Sequence, residues 1–151
     1  TVLPLSIDHD AAEPVGYRVT DGGKSAAFLT DLGHAKPELE AALRNLDALL
    51  LESNHDVRML EAGPYPYPLK RHILGDCGHL SNESAGRLLS LLCHGGLKQV
   101  LLGHLSKENN LPELAYETVR CELRLTHGKG EAEELPLAVA ARDGCSKLYE
   151  F

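Results

Sequence analysis

The chain has 151 residues, of which 43% are hydrophobic, and a formal net charge of −7 at pH 7. This length suits one domain with its own core, and the acidic balance excludes an overall basic field of the kind that attracts nucleic acid. A local basic run remains at Lys70, Arg71 and His72. No segment is apolar enough over a sufficient length to predict a membrane span, and the beginning of the chain does not resemble a signal peptide. The four cysteines show no Cys-x-x-Cys pair or disulfide framework, so we expect a cytoplasmic protein.

The spacing of apolar residues predicts an alternation of strands and helices. Strands are predicted over residues 2–7, 14–19, 25–29, 47–52, 97–102 and 135–140. Helices are predicted over residues 37–45, 81–92 and from 112 to about 125. The segment 63–68, with three prolines and two tyrosines, predicts an ordered loop rather than a helix or a central strand. This order of elements predicts a layered α/β fold.

Several residues mark where these elements begin and end. Ser81 suits the N-cap of its helix, and the glycines at 95–96 suit the end of that helix. Gly128 follows the last predicted helix, and Pro136 favours an edge position for the last strand. The strand over 47–52 is apolar at consecutive positions, which is typical of a strand covered on both faces.

Three chemically active side chains stand at or next to predicted strand ends. His9 continues the apolar face of the first strand, Asp31 follows the third, and His104 follows the strand over 97–102. In an open α/β sheet, the carboxyl ends of strands present the functional site. Each residue alone also suits a structural role, as a histidine bonded to its own loop or an aspartate in a turn.

A second set of polar residues follows the central strand and opens a helix. Glu52 and His55 belong to the run Glu-Ser-Asn-His-Asp that comes directly after the apolar strand, so these groups need each other as partners or serve a ligand. The phrase Gly-His-Leu-Ser occurs twice, at residues 78–81 and 103–106, which places His79 and His104 in similar turns. The repetition weakens a purely structural interpretation of either histidine.

Five segments, taken together and in this order, resemble the metallo-β-lactamase superfamily: residues 7–17, 30–33, 50–56, 78–82 and 102–106. Within the superfamily the similarity is to the nuclease branch that contains ribonuclease Z and the WalJ (YycJ) type of bacterial proteins. The resemblance covers essentially the whole chain. It implies an α/β fold that is part of a four-layered αββα sandwich, namely its second half together with the strands that join the halves.

The resemblance also implies a metal centre. His9 and His104 match metal ligands of the family, and Asp31 matches the aspartate that bridges two ions. Neutral imidazoles and a carboxylate suit zinc or manganese, so two such divalent ions are expected in the full-length protein. This chain alone offers few ligands, and we expect it to bind metal weakly or not at all.

Three further residues are implied to be catalytic. His79 resembles the histidine that lies beside the scissile phosphate in the nuclease branch and acts as general acid. Glu52 resembles the acidic partner that holds this histidine in one tautomer, and His55 is placed in the same outer group.

One departure from the family pattern is large. The His-x-His-x-Asp-His motif, which would precede His9 and supply up to four ligands, does not occur. We therefore expect residues 1–151 to be the C-terminal portion of a metallo-β-lactamase-like domain and to be inactive alone. The other interpretation is a divergent protein that has lost its metal centre.

These observations favour a metal-dependent hydrolase, most simply a phosphodiesterase or nuclease that acts on DNA or RNA. A hydrolase of small esters, thioesters or lactams with the same fold, and a non-catalytic interaction or regulatory module, remain as alternatives. A half-domain would expose part of its inner face, so we expect a homodimer or pairing with the missing N-terminal half. The face expected to be exposed consists of Leu3, Leu5, Ile7, Phe28, Leu49 and Leu51.

Overall fold

The computed structural model describes residues 1–93 and 96–151, and in these residues it contains one six-stranded sheet. The strands are β1 (Val2–Ser6), β2 (Val15–Asp21), β3 (Lys24–Leu29), β4 (Ala48–Glu52), β5 (Gln99–Gly103) and β6 (Leu137–Val139). They lie across the sheet in chain order. The β1–β2 and β2–β3 pairs are antiparallel, and the β3–β4, β4–β5 and β5–β6 pairs are parallel. The predicted α/β class and the edge position of the last strand are thereby confirmed.

Helices provide the connections that parallel strands require. They are α1 (Pro37–Ala42), α2 (Val57–Ala62), α3 (Tyr67–Ile73), α4 (Asn82–Leu92) and α5 (Pro112–Glu134). Ser81 caps α4 as predicted, since its side chain accepts a hydrogen bond from the Ser84 amide. The predicted end of this helix at 95–96 falls partly outside the described residues.

The aromatic segment 63–68 is only partly a loop, because α3 already begins at Tyr67 with Pro68 in its first turn. A proline is tolerated there since the first amides of a helix have no partner within it. The prediction missed this, and it also missed α2, whose N-cap Asp56 accepts a hydrogen bond from the Met59 amide. The helix α5 runs past the predicted end, with a non-helical residue at Gly128 (φ 79°) that bends the chain.

One face of the sheet carries the core. Leu29, Leu51 and Leu102 lie in register across β3, β4 and β5, and each is 0% exposed. They belong to one apolar cluster that includes Leu88 and Leu89 of α4. This face therefore packs against the helices.

The opposite face is apolar but open. A single register row crosses the sheet through Tyr17, Phe28, Leu50 and Leu101. Tyr17 is 45% exposed and Phe28 is 47% exposed, while Leu50 and Leu101 are half-buried. We call this row and its surroundings the open face.

The composition of the open face differs from the prediction. Of the six expected residues, only Phe28 lies on it. Leu5, Ile7, Leu49 and Leu51 are buried in the core instead. The prediction joined the two faces because it did not resolve the registers of neighbouring strands, and a shift of one residue moves a side chain to the other face.

Candidate metal centre

Four strand ends deliver the polar side chains to one edge of the sheet. The parallel strands β3, β4 and β5 end together, and β1 points the same way because two antiparallel steps separate it from β3. His9, Asp31 and His104 each follow one of these strands, and Glu52 is the last residue of β4. The expected convergence of His9, Asp31 and His104 is thus present in the structure.

Asp31 lies between the two histidines. Its Oδ1 atom is 3.5 Å from Nε2 of His9 and 3.7 Å from Nε2 of His104. Both Asp31 and His104 have left-handed backbone conformations, with φ of 57° and 56°. Such values are uncommon for residues other than glycine, and they turn both side chains sharply away from the direction of the preceding strand.

Glu52 connects the remaining histidines. It is 0% exposed, and its Oε2 accepts a hydrogen bond of 2.7 Å from the Leu32 amide. Its Oε1 accepts a hydrogen bond of 2.6 Å from Nδ1 of His79 and lies 3.4 Å from Nδ1 of His104. The contact with His79 is the one that the resemblance implied, and the contact with His104 is an addition to it. The nearby Glu52 carboxylate raises the pKa of His104 above its ordinary value.

The segment that carries His79 is held by close backbone contacts. A Cβ atom at Gly33 would lie 2.2 Å from the Asp76 carbonyl oxygen, and one at Gly78 would lie 2.2 Å from that of Ile73. Only glycine permits these approaches. The Gly78 carbonyl lies 3.0 Å from Nδ1 of His9, so the same segment also orients that ring.

His79 is not set back from the other polar atoms as expected. Its ring centroid is 5.0 Å from that of His9 and 5.3 Å from that of His104. Ligand atoms of His9, Asp31 and His79 all lie within 4.8 Å of one another. The same holds for Glu52, His79 and His104.

A buried amide network, which local sequence patterns did not predict, supports this edge from below. The Ser53 hydroxyl donates to Oδ1 of Asn82 at 2.6 Å, and Nδ2 of Asn82 donates to Oδ1 of Asn110 at 3.0 Å. Nδ2 of Asn110 donates to the carbonyl oxygens of Ser53 and Asn54 at 2.9 and 3.0 Å. These bonds join the carboxyl end of β4 to the starts of α4 and α5. The signal in the sequence was the run of small polar residues directly after an apolar strand.

His104 is fixed by a neighbour of this network. Nδ2 of Asn54 donates to the His104 carbonyl oxygen at 2.9 Å, and the Asn54 carbonyl accepts from the Ser106 amide at 2.7 Å. Two bonds from one residue thus hold the turn that contains the left-handed His104.

His55 lies apart from the hydrogen-bonded group. Its side chain is almost fully buried, and neither ring nitrogen has a partner among the described residues. Burial, together with the nearby charge of His79, lowers the pKa of His55 to about 4. The ring is therefore neutral at pH 7.

The polar edge opens into a cleft of about 470 Å³ whose floor includes Asp31, His79 and His104. Tyr65, His72 and Lys107 also line this cleft. Aromatic and cationic side chains thus line the approach to the site.

The donor set fits divalent metal ions. In a tetrahedral zinc site, metal–ligand distances of about 2.0–2.2 Å place neighbouring ligand atoms roughly 3.4 Å apart. The distances from Asp31 to His9 and His104 are close to this spacing and too long for hydrogen bonds. Each of these two imidazoles also has its Nδ1 next to an oxygen of the protein, which is the usual support of a metal-binding histidine.

The chain belongs to the β-lactamase superfamily. The model of the family described as "Beta-lactamase superfamily domain" matches residues 1–105, more than half of the chain. Two relatives share this similarity in sequence. The exodeoxyribonuclease WalJ of Streptococcus pneumoniae serotype 2 (strain D39) is 42% identical over 115 residues, which are 76% of this chain and 43% of the relative. The exodeoxyribonuclease YycJ of Bacillus anthracis is 38% identical over 135 residues, 89% of this chain and 51% of the relative.

Solved structures show the same fold. The metallo-β-lactamase fold protein YhfI from Bacillus subtilis superposes with a TM-score of 0.57 at 19% identity, covering 92% of this chain and 46% of YhfI. Zn(2+)-bound PqqB from Methylobacterium extorquens gives a TM-score of 0.53 at 19% identity, covering 92% of this chain and 43% of PqqB. The chain spans about half the length of the curated relatives it matches. Among the described residues, no helix is long and apolar enough to cross a membrane.

Proposed function

We propose that this chain is the C-terminal portion of a metal-dependent nuclease that hydrolyses phosphodiester bonds of DNA or RNA. The observation that carries the proposal is the placement of Asp31 between His9 and His104 at ligand spacing, with the Glu52–His79 pair beside it. The exodeoxyribonuclease names of the two relatives favour DNA.

In this proposal His9, Asp31 and His104 contribute ligands to two divalent ions, zinc or manganese. Ions bound there supply Lewis acidity that neutralises charge on a phosphodiester. Isolated residues 1–151 offer too few ligands for a stable centre, since structural and catalytic zinc ions usually take three or four protein ligands each. The isolated chain is therefore inactive in this proposal.

The Glu52–His79 pair performs the proton transfer. Because Nδ1 of His79 donates to the buried Glu52, Nε2 is the ring nitrogen left to hold a proton for the leaving oxygen. A general acid needs this fixed orientation towards the substrate. His55 lies behind the pair as a neutral residue of the outer group, and both of its ring nitrogens are buried without a partner among the described residues.

The cleft supports a nucleic-acid substrate. Lys107 offers a cationic contact and His72 a ring nitrogen for phosphates, and Tyr65 offers a ring on which a base can stack. Because the net charge is −7, binding of nucleic acid would depend on these local contacts in the cleft and not on the overall electrostatic field of the protein.

The exposed apolar residues of the open face favour a partner that covers this face. The six strands are covered by helices on one side, whereas Tyr17 and Phe28 are about half exposed on the other. We propose that an N-terminal half of the domain packs a second sheet on this face and completes the four-layered sandwich. Residues 1–151 alone would pair through the open face as a homodimer. Sedimentation tests this: Phe28→Glu should give monomers, whereas Leu91→Glu, at an exposed apolar residue of α4, should not.

A cytoplasmic location is part of the proposal. The four cysteines are unpaired, and Cys77, Cys121 and Cys145 are exposed. Exposed free thiols suit a reducing compartment.

Activity provides the decisive test. The longer protein encoded by the same reading frame, loaded with zinc or manganese, should degrade end-labelled DNA, and the 151-residue chain should not. A variant at a histidine outside the site, His127→Ala, should keep turnover. Equal or faster hydrolysis of a thioester would favour a small-molecule hydrolase. Absence of both activities, with no bound metal, would favour a non-catalytic module.

A further inference from the structure

A second pocket lies behind His79. It has a volume of about 490 Å³ and is formed by α2, the end of α3 and the start of α4. His79 lines both this pocket and the cleft described above, so the two cavities adjoin at this residue.

The pocket contains two buried polar groups without partners. Both ring nitrogens of His55 and the Oε2 atom of Glu83 are buried and unpaired among the described residues. A buried polar atom without a hydrogen bond destabilises the fold, so such groups in a native protein indicate a missing partner. The missing partner must offer a donor to Glu83 and can offer either kind of group to the imidazole.

The charges in the pocket balance. Arg58 and Arg87 line it together with Glu61 and Glu83. A doubly charged phosphate would meet two carboxylates as well as two guanidinium groups, whereas a neutral polar ligand meets no such conflict. The lining also includes Val57 and Leu74, which provide apolar contact for a flat ring.

We infer that this pocket binds the nucleobase of the nucleotide whose phosphate occupies the cleft at His79. A nucleobase is neutral, planar and carries both donors and acceptors on its edge, and it stacks on apolar side chains and guanidinium planes. The volume of the pocket is within the usual range for small-ligand sites. The inference rests on the proposed function for the identity of the substrate, but binding to the pocket does not depend on metal or turnover.

The test is a metal-free titration of the 151-residue chain, in EDTA, with the four deoxynucleoside 5′-monophosphates. The matched probe is 2-deoxyribose 5-phosphate, which has the same sugar and phosphate but no base. The monophosphates should bind at least about tenfold more tightly, because the base supplies the partners that the pocket lacks. In NMR spectra, the His55 ring resonance, assigned with His55→Gln, should move on addition of the monophosphates only.

Two variants locate the effect. Glu83→Gln should weaken monophosphate binding by roughly 5- to 50-fold and leave the base-free probe unchanged, and Arg58→Ala should act in the same direction. Glu113→Gln, which replaces a glutamate in the first turn of α5, should not change either affinity. Circular dichroism confirms that each variant is folded.

The outcomes separate this inference from the proposed function. Equal affinity for ligands with and without a base, or no binding of any of them, overturns the nucleobase pocket even if the longer protein degrades DNA. Base-dependent binding that is sensitive to Glu83→Gln supports the pocket even if the longer protein proves inactive on DNA.

Discussion

Two groups of polar side chains at the same edge of the sheet differ in how completely the protein satisfies them. In the buried network, Ser53, Asn82 and Asn110 meet at 2.6–3.0 Å. At the surface, His9 and His104 stop 3.5 and 3.7 Å from Asp31, beyond hydrogen-bond distance. The side chains of the network thus satisfy each other by hydrogen bonds, whereas Asp31 and the two histidines of the surface group do not.

The difference indicates the role of each group. Polar atoms that reach normal hydrogen-bond distances have the partners they need, so the network serves to hold strand and helix ends in place. The surface residues are oriented by other contacts, such as those of the Gly78 carbonyl and Asn54, yet leave a gap between themselves. A gap of ligand spacing between supported side chains is the arrangement that the proposed metal centre needs.

The largest effect is expected at His79. In the longer nuclease proposed above, His79→Ala should lower turnover on DNA by roughly two to four orders of magnitude, which is the usual contribution of a general acid or base. Metal content, measured by elemental analysis, should stay unchanged. His79 lies as near to Asp31 as a ligand could, so loss of metal together with activity would make it a ligand instead.

The second effect tests the buried network. Asn110→Ala removes hydrogen bonds to Ser53, Asn54 and Asn82 and leaves their buried atoms unpaired. We expect the free energy of unfolding to fall by about 3–4 kcal/mol. Urea denaturation measures the change. Thr126→Ala, which deletes an exposed side-chain hydrogen bond, should change it by less than about 0.5 kcal/mol.

The third effect concerns His55, which belongs to neither group. Its pKa is about 4 in the folded chain, against 6.5 for the ordinary group. The unfolded chain therefore takes up a proton first as the pH falls, and stability that is fully present above pH 6.5 is lost progressively down to about pH 4. The total loss from this residue is roughly 3 kcal/mol.

A comparison of variants isolates this contribution. The raised pKa of His104 acts in the opposite direction, because its contribution is present at low pH and is lost as the pH rises. The free energy of unfolding is therefore measured for the wild type and for His55→Gln between pH 4 and 7. The difference between the two pH profiles removes the contribution of His104, which both proteins share. Identical pH dependence would mean that the imidazolium form of His55 finds a partner in the fold.

The smallest effect is at the cap of α4. Ser81→Ala removes the acceptor for the Ser84 amide and should lower the free energy of unfolding by about 1 kcal/mol. Ser81→Asp retains an acceptor and should restore most of it. The thermal unfolding midpoint is measured for both variants. Equal midpoints for Ser81→Ala and Ser81→Asp would contradict a stabilising role of the cap hydrogen bond.

The sequence predicted the strands and the site best where local signals act alone. Apolar runs bounded by turns identified the strands, and their carboxyl ends identified His9, Asp31 and His104 as neighbours. The resemblance added the pairing of Glu52 with His79, which the structure contains. The metal-binding and catalytic roles of these residues stay predictions.

The sequence did not reveal features that depend on tertiary register. The row through Tyr17 and Phe28 follows from how β2, β3 and β4 are aligned, and a strand's own pattern does not fix that alignment. The partners of Asn110 within the buried network, Ser53, Asn54 and Asn82, lie 28 to 57 residues away in the chain, so no local motif joins them. The helix α3 was missed because prolines that exclude a helix interior are tolerated in its first turn.

The left-handed backbone at Asp31 and His104 has a consequence for protein engineering. Glycine adopts this conformation without steric cost, so Asp31→Gly and His104→Gly would relieve strain of roughly 1 kcal/mol each. As far as backbone strain decides the outcome, a library selected for thermal stability alone would therefore favour glycine at the two positions where the proposed metal centre needs a side chain. Selection for stability and selection for chemistry oppose each other at these residues, and a thermostable version of this protein has to gain its stability elsewhere.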